Sequence, residues 1–344
     1  MNNIQNNICS KLVLSFFLLC LSSWAYASWD QSPAPFSQRA DVHAFIQEMA
    51  EEYGFQEEAL DHLFNQVKIQ PTILASISKP KEAQPWHSYK AHFLTQDRID
   101  KGVHFWRTHA QVLDRAEKQY GVPASVIVAI LGIETYYGQQ QGNYRVIDAL
   151  STLAFNYPPR AAFFRKELAE YLLLSRENHL SPLTIKGSYA GAMGQPQFMP
   201  SSHRHYAVNY SHNGQIDLQN KSADAIGSVA NYLKANGWQA NNAIIADATV
   251  TEPRKVPISW QQSSPLLAVK DLQRYGISVP KHLPPTQRAM LIRLDNNHHQ
   301  PEYLLGLNNF YTITRYNTSV NYAMAVYELS QEIEKVKKLR PTVR

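Results

Sequence analysis

The segment Pro123-Ala-Ser-Val-Ile-Val-Ala-Ile-Leu-Gly-Ile-Glu134-Thr-Tyr-Tyr-Gly138 constrains the chain most, because so long an apolar run predicts a helix packed inside a core. That helix carries one carboxylate inward. Leu131, Ile130 and Ile127 lie three, four and seven positions before Glu134 and share its face, so the carboxyl points where the core points. Pro123 suits the first helical position and Gly138 the stop. Glu134 then falls in the last turn, where the helix dipole disfavours a negative charge. Burial and dipole both favour the protonated form, and an acid protonated near neutrality can donate a proton to a glycosidic oxygen. The same placement suits a buried structural ion pair, so helix position alone leaves both readings open.

About fifty residues later comes a Gly/aromatic loop, Gly187-Ser-Tyr-Ala-Gly-Ala-Met-Gly-Gln-Pro-Gln197-Phe-Met-Pro-Ser-Ser202. Gly187, Gly191 and Gly194 allow close backbone approach, and Pro196 and Pro200 stiffen the stretch. Gln197, Phe198, Met199, Ser201 and Ser202 offer amide, ring and hydroxyl surfaces of the kind that orient sugars. A glycine-rich loop by itself is equally a tight turn. The Gly-Lys-Ser/Thr ending of a phosphate loop is missing, which argues against nucleotide binding.

Five segments, in this order, resemble the lytic murein transglycosylase B family. They are Gly132-Ile-Glu134-Thr-Tyr-Tyr-Gly138, Gly187-Ser188-Tyr-Ala-Gly-Ala-Met-Gly, Gln197-Phe-Met-Pro-Ser-Ser202, Asp224-Ala-Ile-Gly-Ser-Val-Ala-Asn-Tyr232-Leu-Lys-Ala-Asn-Gly-Trp238 and Arg315-Tyr316-Asn317. The resemblance implies a lysozyme-like core that cleaves the β-1,4 bond between N-acetylmuramic acid and N-acetylglucosamine in peptidoglycan. It implies a 1,6-anhydromuramoyl product end and no organic cofactor. Position by position, it makes Glu134 the single catalytic acid, then base, and matches Ser188, Gln197, Tyr232, Tyr316, Asn317 and Tyr322 to positions lining the glycan cleft. The family often has two arginines after Tyr-Pro. Here the stretch reads Tyr157-Pro158-Pro159-Arg160, so Arg160 alone fills that role, and Phe163 stands where the family has a tyrosine.

A retaining hydrolase needs a second carboxylate about 5 Å from the first, and an inverting one a carboxylate far enough away to hold a water. The nearest acids in sequence, Asp148 and Glu167, sit in no comparable motif. One carboxyl suffices if it protonates the leaving oxygen and then deprotonates the sugar's own 6-hydroxyl, provided that water is excluded. A hydrolytic muramidase using Glu134 is the nearest enzymatic alternative. A non-catalytic glycan-binding scaffold is the alternative from another class.

Lys11, the apolar run Leu12–Leu21 and the exit Ala25-Tyr26-Ala27 predict a secretory leader, residues 1–27, cleaved before Ser28 and delivering the protein to the periplasm. The rival reading, lipid attachment at Cys20 and an outer-membrane anchor, meets Leu19 where a small residue is usual. Cys9 and Cys20 are the only cysteines, so removal of the leader excludes disulfides and thiolate metal sites. The formal charge is +5. That mild excess suits an anionic wall polymer and lacks the basic, aromatic-interleaved stripe of a nucleic-acid binder. The expected partners are peptidoglycan glycan strands and cell-wall remodelling proteins, bound by a monomer.

Helical periodicity predicts a mainly α chain with a small β-containing insertion. Residues 28–110 form an N-terminal helical domain, with faces Val42/Phe45/Ile46/Met49 and Leu60/Leu63/Phe64/Val67. A long helix carries Ile99, Val103, Trp106, Leu113 and Ala116, stopped by Gly121. Residues 111–238 and 313–344 form the catalytic core, and 239–312 the insertion, with strands at Ala248–Thr251, Met290–Leu294 and Tyr311–Thr314. Phe164, Leu168, Tyr171 and Leu172 share one helix face. Ser222 is the expected N-cap of a helix with stripe Ile226/Val229/Ala230/Leu233, leaving Tyr232 to face a ligand.

Asn209-Tyr-Ser211-His-Asn213-Gly214 has the alternating oxygens and sixth-position glycine of a calcium loop, and the family can carry one here. Asn209, Ser211, Asn213 and Asp224 would be its ligands. Amides replace charge-supplying carboxylates, the twelfth position is Asn220 rather than Glu, and one extra residue precedes Asp224. The expectation is therefore a chain that needs no calcium. His298-His299 beside Asp295 reads as a solvated loop, since successive strand side chains face opposite ways.

Overall fold

From Ala124 to Leu131 every residue is at most 2% exposed, so the apolar helix is enclosed on all sides. In the computed structural model, which describes residues 35–77, 84–261, 265–295 and 301–340, the rest of the chain is arranged around it. The expected leader with Lys11, Cys9 and Cys20, and the His298-His299 pair, lie outside the described residues.

The helices are α1 (Ala40–Tyr53), α2 (Glu57–Phe64), α3 (Pro71–Ile77), α4 (Trp86–Phe93), α5 (Gln96–Thr108), α6 (Ala110–Tyr120) and α7 (Ala124–Thr135). They continue as α8 (Val146–Asn156), α9 (Ala161–Glu177), α10 (Pro200–Tyr206), α11 (Ser222–Ala235), α12 (Val269–Leu272), α13 (Asn308–Tyr316) and α14 (Val320–Leu339). The strands are β1 (Tyr144–Arg145), β2 (Lys186–Gly187), β3 (Ile245–Asp247), β4 (Thr249–Val250), β5 (Leu267–Ala268), β6 (Ile277–Ser278), β7 (Arg288–Leu294) and β8 (Glu302–Leu307). α7 packs against α5, α6, α11 and α14.

The described residues between 35 and 110 divide between two cores. α1–α3 bury Phe45, Ile46, Met49, Phe64 and Ile73 against α8 and α9, whereas Trp86, Tyr89, Ile99, Val103 and Trp106 of α4 and α5 share the core of α7 and α14. The boundary expected at residue 110 does not separate two units, because the apolar faces of α4 and α5 find their cover in the C-terminal helix. The single long helix expected through Ala116 is also two helices, broken at His109.

The β-containing insertion is an antiparallel sheet of order β3-β8-β7-β5 with a separate pair, β4-β6. β7 alternates: Met290, Ile292 and Leu294 join the helical core, while Ala289 and Leu291 join Trp260, Leu272 and Leu305 in the insertion's own core. Tyr311–Thr314, expected as a strand, lies in α13. β-branched alternation misled there, since Phe310 and Ile313 also satisfy helical spacing and both are fully buried. Asn309 fixes the start of that helix: its Nδ2 donates to the carbonyls of Gln239 and Asn242, and its Oδ1 accepts from Gln239 N–H.

His203 of α10 is pushed down to about 4 from its ordinary 6.5, chiefly by burial. The folded protein therefore holds it neutral where the unfolded chain protonates it. Between these values the unfolded state binds more protons, so stability is full above about pH 6.5 and is lost as the pH is lowered toward 4, by up to about 3 kcal/mol in all. Urea unfolding at pH 7 and pH 4 measures this loss, which is expected to shrink in His203→Gln.

Candidate active site

α7 ends at Thr135, earlier than the expected stop at Gly138, and begins at Ala124 with Pro123 as N-cap. Tyr136 and Tyr137 both take left-handed backbone, φ 54° and 62°. Tyr136 N–H donates to Gly132 O and Tyr137 N–H to Leu131 O, closing the exposed carbonyls of the last turn. Glu134 lies in that turn, half-buried.

Tyr322 donates its hydroxyl to Glu134 Oε1 at 2.6 Å. Its position follows from local capping: Asn317 Oδ1 accepts from Ser319 N–H, and Ser319 Oγ accepts from Tyr322 N–H at the start of α14. Tyr316 stacks on Tyr322, with ring centres 6.3 Å apart and planes 10° apart, and donates to Pro196 O at 2.5 Å. Burial, and then the negative charge of Glu134, hold both phenols well above their ordinary range. They stay protonated and act as hydrogen-bond donors.

The Gly/aromatic loop docks on the same turn. Thr135 Oγ1 donates to Gln195 O at 2.7 Å and accepts from Gly138 N–H. Ser188 Oγ accepts from Ala190 and Ala192 N–H, and Gln197 Nε2 donates to Gln141 O and Gly194 O. Gly194 needs its glycine: φ is 68°, and a Cβ would fall 2.8 Å from Leu218 O.

Of the residues expected to meet sugar, Tyr316, Asn317 and Tyr322 build the surroundings of Glu134, and Ser188 and Gln197 shape the adjoining loop. Phe198 and Tyr232 are core residues instead. Phe198 is 2% exposed between Tyr232 and Tyr316, and Tyr232 is 8% exposed, donating to Arg315 O. The apolar face of α11 is wider than its four-residue stripe, so Tyr232 backs Tyr316 rather than facing a ligand. Lys221, not Ser222, caps this helix. Met199 caps α10 and packs on the α8/α9 core, and Arg160, the exposed N-cap of α9, lays its guanidinium over Phe163 and Phe164 of that helix. Thr135 and Gln195 were not singled out from sequence. Thr135 stood next to Glu134 in the motif, but Gln195 carried no periodic signal.

Three other carboxylates are fully buried and occupied. Asp148 pairs with Arg145 and accepts from Lys68 N–H. Glu167 accepts from Ser201 N–H and Oγ. Asp224 accepts from Ser211 N–H at 2.6 Å and Asp217 N–H at 3.0 Å. Asn209 and Asn213 likewise accept from N–H groups of their own loop. The oxygens of Asn209, Asn213 and Asp224, expected as calcium ligands, thus organise backbone, and the Ser211 hydroxyl donates to Asn209 Oδ1. Among the described residues no group of three or more His, Cys, Asp or Glu side chains is placed to hold a metal ion.

The Transglycosylase SLT domain family matches residues 37–331. The chain belongs to this family. It is 39% identical over 313 residues to membrane-bound lytic murein transglycosylase B of Escherichia coli (strain K12), covering 88% of this chain and 85% of that protein. Its fold matches the catenated lytic transglycosylase SltB1 of Pseudomonas aeruginosa with TM-score 0.81 and 46% identity, covering 87% of this chain and 98% of that one. It matches the E. coli lytic transglycosylase Slt35 in complex with bulgecin A with TM-score 0.79 and 39% identity, covering 88% and 95%. Slt35 is also known in complex with calcium. The transglycosylase described here is thus an enzyme with a mainly helical, lysozyme-like fold. Lytic transglycosylases need no cofactor. Among its described residues no helix is long and apolar enough to cross a membrane.

Proposed function

We propose that this transglycosylase cleaves the β-1,4 bond between N-acetylmuramic acid and N-acetylglucosamine with Glu134 as its single acid and base, leaving a 1,6-anhydromuramoyl end. The observation that carries the reading is the disposition of carboxylates. Glu134 closes the central helix against the Tyr322 hydroxyl, while Asp148, Glu167 and Asp224 are consumed by backbone N–H groups and Arg145. Hydrolases of either stereochemistry ordinarily work with a second carboxylate near the first, and these three are not free to serve as one.

In this reading Glu134 first gives its proton to the departing glycosidic oxygen. As carboxylate, it then takes the proton of the muramoyl 6-hydroxyl, whose oxygen bonds to the anomeric carbon. Tyr322 keeps the carboxyl in place in both states, since a protonated phenol can donate to the acid's carbonyl oxygen and, more strongly, to the carboxylate. An intramolecular nucleophile wins over water when it is held in place and the site is closed.

Mass analysis of purified glycan strands after digestion tests the product. Muramoyl ends lighter by one water than reducing ends are expected. Reducing ends would make the enzyme a hydrolytic muramidase using the same glutamate, and intact strands would make it a binding protein.

A further inference from the structure

Glu134 is followed by two tyrosines in a backbone conformation that side-chain-bearing residues rarely adopt and that persists only where the surroundings impose it. What imposes it here is α5. The ring of Tyr137 enters a slot between two glycines on facing helices: a Cβ at Gly102 or at Gly132 would lie 2.6 Å from its hydroxyl oxygen. That hydroxyl donates to Arg98 O at 2.8 Å, and Phe105 packs on the ring at 5.6 Å.

Arg98 closes the clamp from the other side. Its Nε donates to Gly132 O at 3.2 Å, and its Nη1 to His92 O at 2.6 Å and Phe93 O at 3.2 Å. The same guanidinium lies 4.6 Å from the centre of the Tyr136 ring, with Lys101 Nζ 4.4 Å from that centre and Asp97 bonded to the Tyr136 hydroxyl. A cation resting on a C-terminal helix carbonyl also complements the helix dipole. Gly132 and Tyr136–Tyr137 bracket Glu134, so a turn fixed at both ends fixes the carboxyl between them.

We propose that Tyr137 and Arg98 are positioning residues for Glu134: together they hold the left-handed exit of α7 so that the carboxyl meets Tyr322. This rests on the assignment of Glu134 as the acid. Neither side chain touches the reacting atoms, so their loss acts on the geometry of the proton transfer and leaves glycan binding intact.

The test compares kcat and KM on a soluble glycan fragment for Tyr137→Leu, Tyr137→Phe and Arg98→Lys, with near-ultraviolet circular dichroism reporting the folded fraction. Tyr137→Leu empties the slot, and Arg98→Lys keeps the charge but not the planar fork that reaches three carbonyls. Each is expected to lower kcat at least about tenfold with KM changed less than about twofold, because a small misplacement of a catalytic group costs rate rather than affinity. Tyr137→Phe keeps the wedge and is expected to lose no more than about threefold in kcat. Wild-type kcat per folded molecule in Tyr137→Leu and Arg98→Lys, or a raised KM at constant kcat, overturns the clamp. If Tyr137→Leu does not fold, Arg98→Lys decides alone. Glu134→Gln is assayed alongside: an active Glu134→Gln refutes the acid assignment, whereas an inactive one beside fully active clamp variants refutes the clamp only.

Discussion

Replacing Glu134 with glutamine is expected to lower turnover by at least about 10³-fold while leaving fold and glycan affinity unchanged. The amide is nearly isosteric and keeps a carbonyl oxygen to accept the Tyr322 hydroxyl, so the 2.6 Å contact survives. It has no transferable proton and is too weak a base to take one back. General acid or base catalysis contributes about 10²- to 10⁴-fold, and here one group is assigned both roles, so no partial activity should persist. Turnover on purified glycan, with thermal unfolding and binding measured on the same preparation, checks this. Residual cleavage above about a hundredth of the parent rate in a folded variant would assign the proton transfer to another group and end the single-acid reading.

The helix that carries Glu134 was legible because its signal is local: an apolar run, a proline before it and a carboxylate in register with Ile127, Ile130 and Leu131. The faces of α1, α2, α9 and α11 were legible for the same reason, since spacing of apolar residues reports which side is buried. What failed were readings that depend on a distant partner. Tyr311–Thr314 alternates like a strand, yet the bonds of Asn309 to Gln239 and Asn242 commit it to α13. Tyr232 falls off the narrow stripe of α11, and only Tyr316, Phe198 and Tyr206 around it make it a core residue. The stop at Tyr136 rather than Gly138 is a tertiary override of the glycine rule, because Gly102 and Gly132 make room for Tyr137 and Arg98 covers Tyr136. Motif resemblance matched Tyr316 and Tyr322 to glycan-cleft positions, and their place beside Glu134 appears only in the structure. The supporting Thr135 and Gln195 required coordinates, because a single backbone carbonyl contact leaves no pattern in the chain.

Asp224, a possible metal ligand by sequence, is by its contacts a carboxylate whose loss should cost substantial stability. It is fully buried, and its two oxygens take the N–H groups of Ser211 and Asp217, which pins both ends of the intervening loop to the first turn of α11. Hydrogen bonds to a charged group are worth about 1.5–3 kcal/mol each, and Asp224→Ala leaves two backbone donors behind, so a loss of about 4 kcal/mol is expected. A calcium ion would have to approach to about 2.3–2.6 Å of oxygens now aimed at N–H groups, beside Asn209 and Asn213, which supply no charge. An ion held with Kd near 10 μM would add about 2.7 kcal/mol at about 1 mM. No such gain is expected, because backbone donors already occupy the sites at which the ion would bind. Urea unfolding of the parent and of Asp224→Ala, each with chelator and then with calcium, separates the two roles. A large loss in the variant that is the same in both media fits a carboxylate that organises backbone. A parent stabilised by calcium, with the gain abolished in Asp224→Ala, would show that this loop trades its N–H bonds for a metal ion when one is offered.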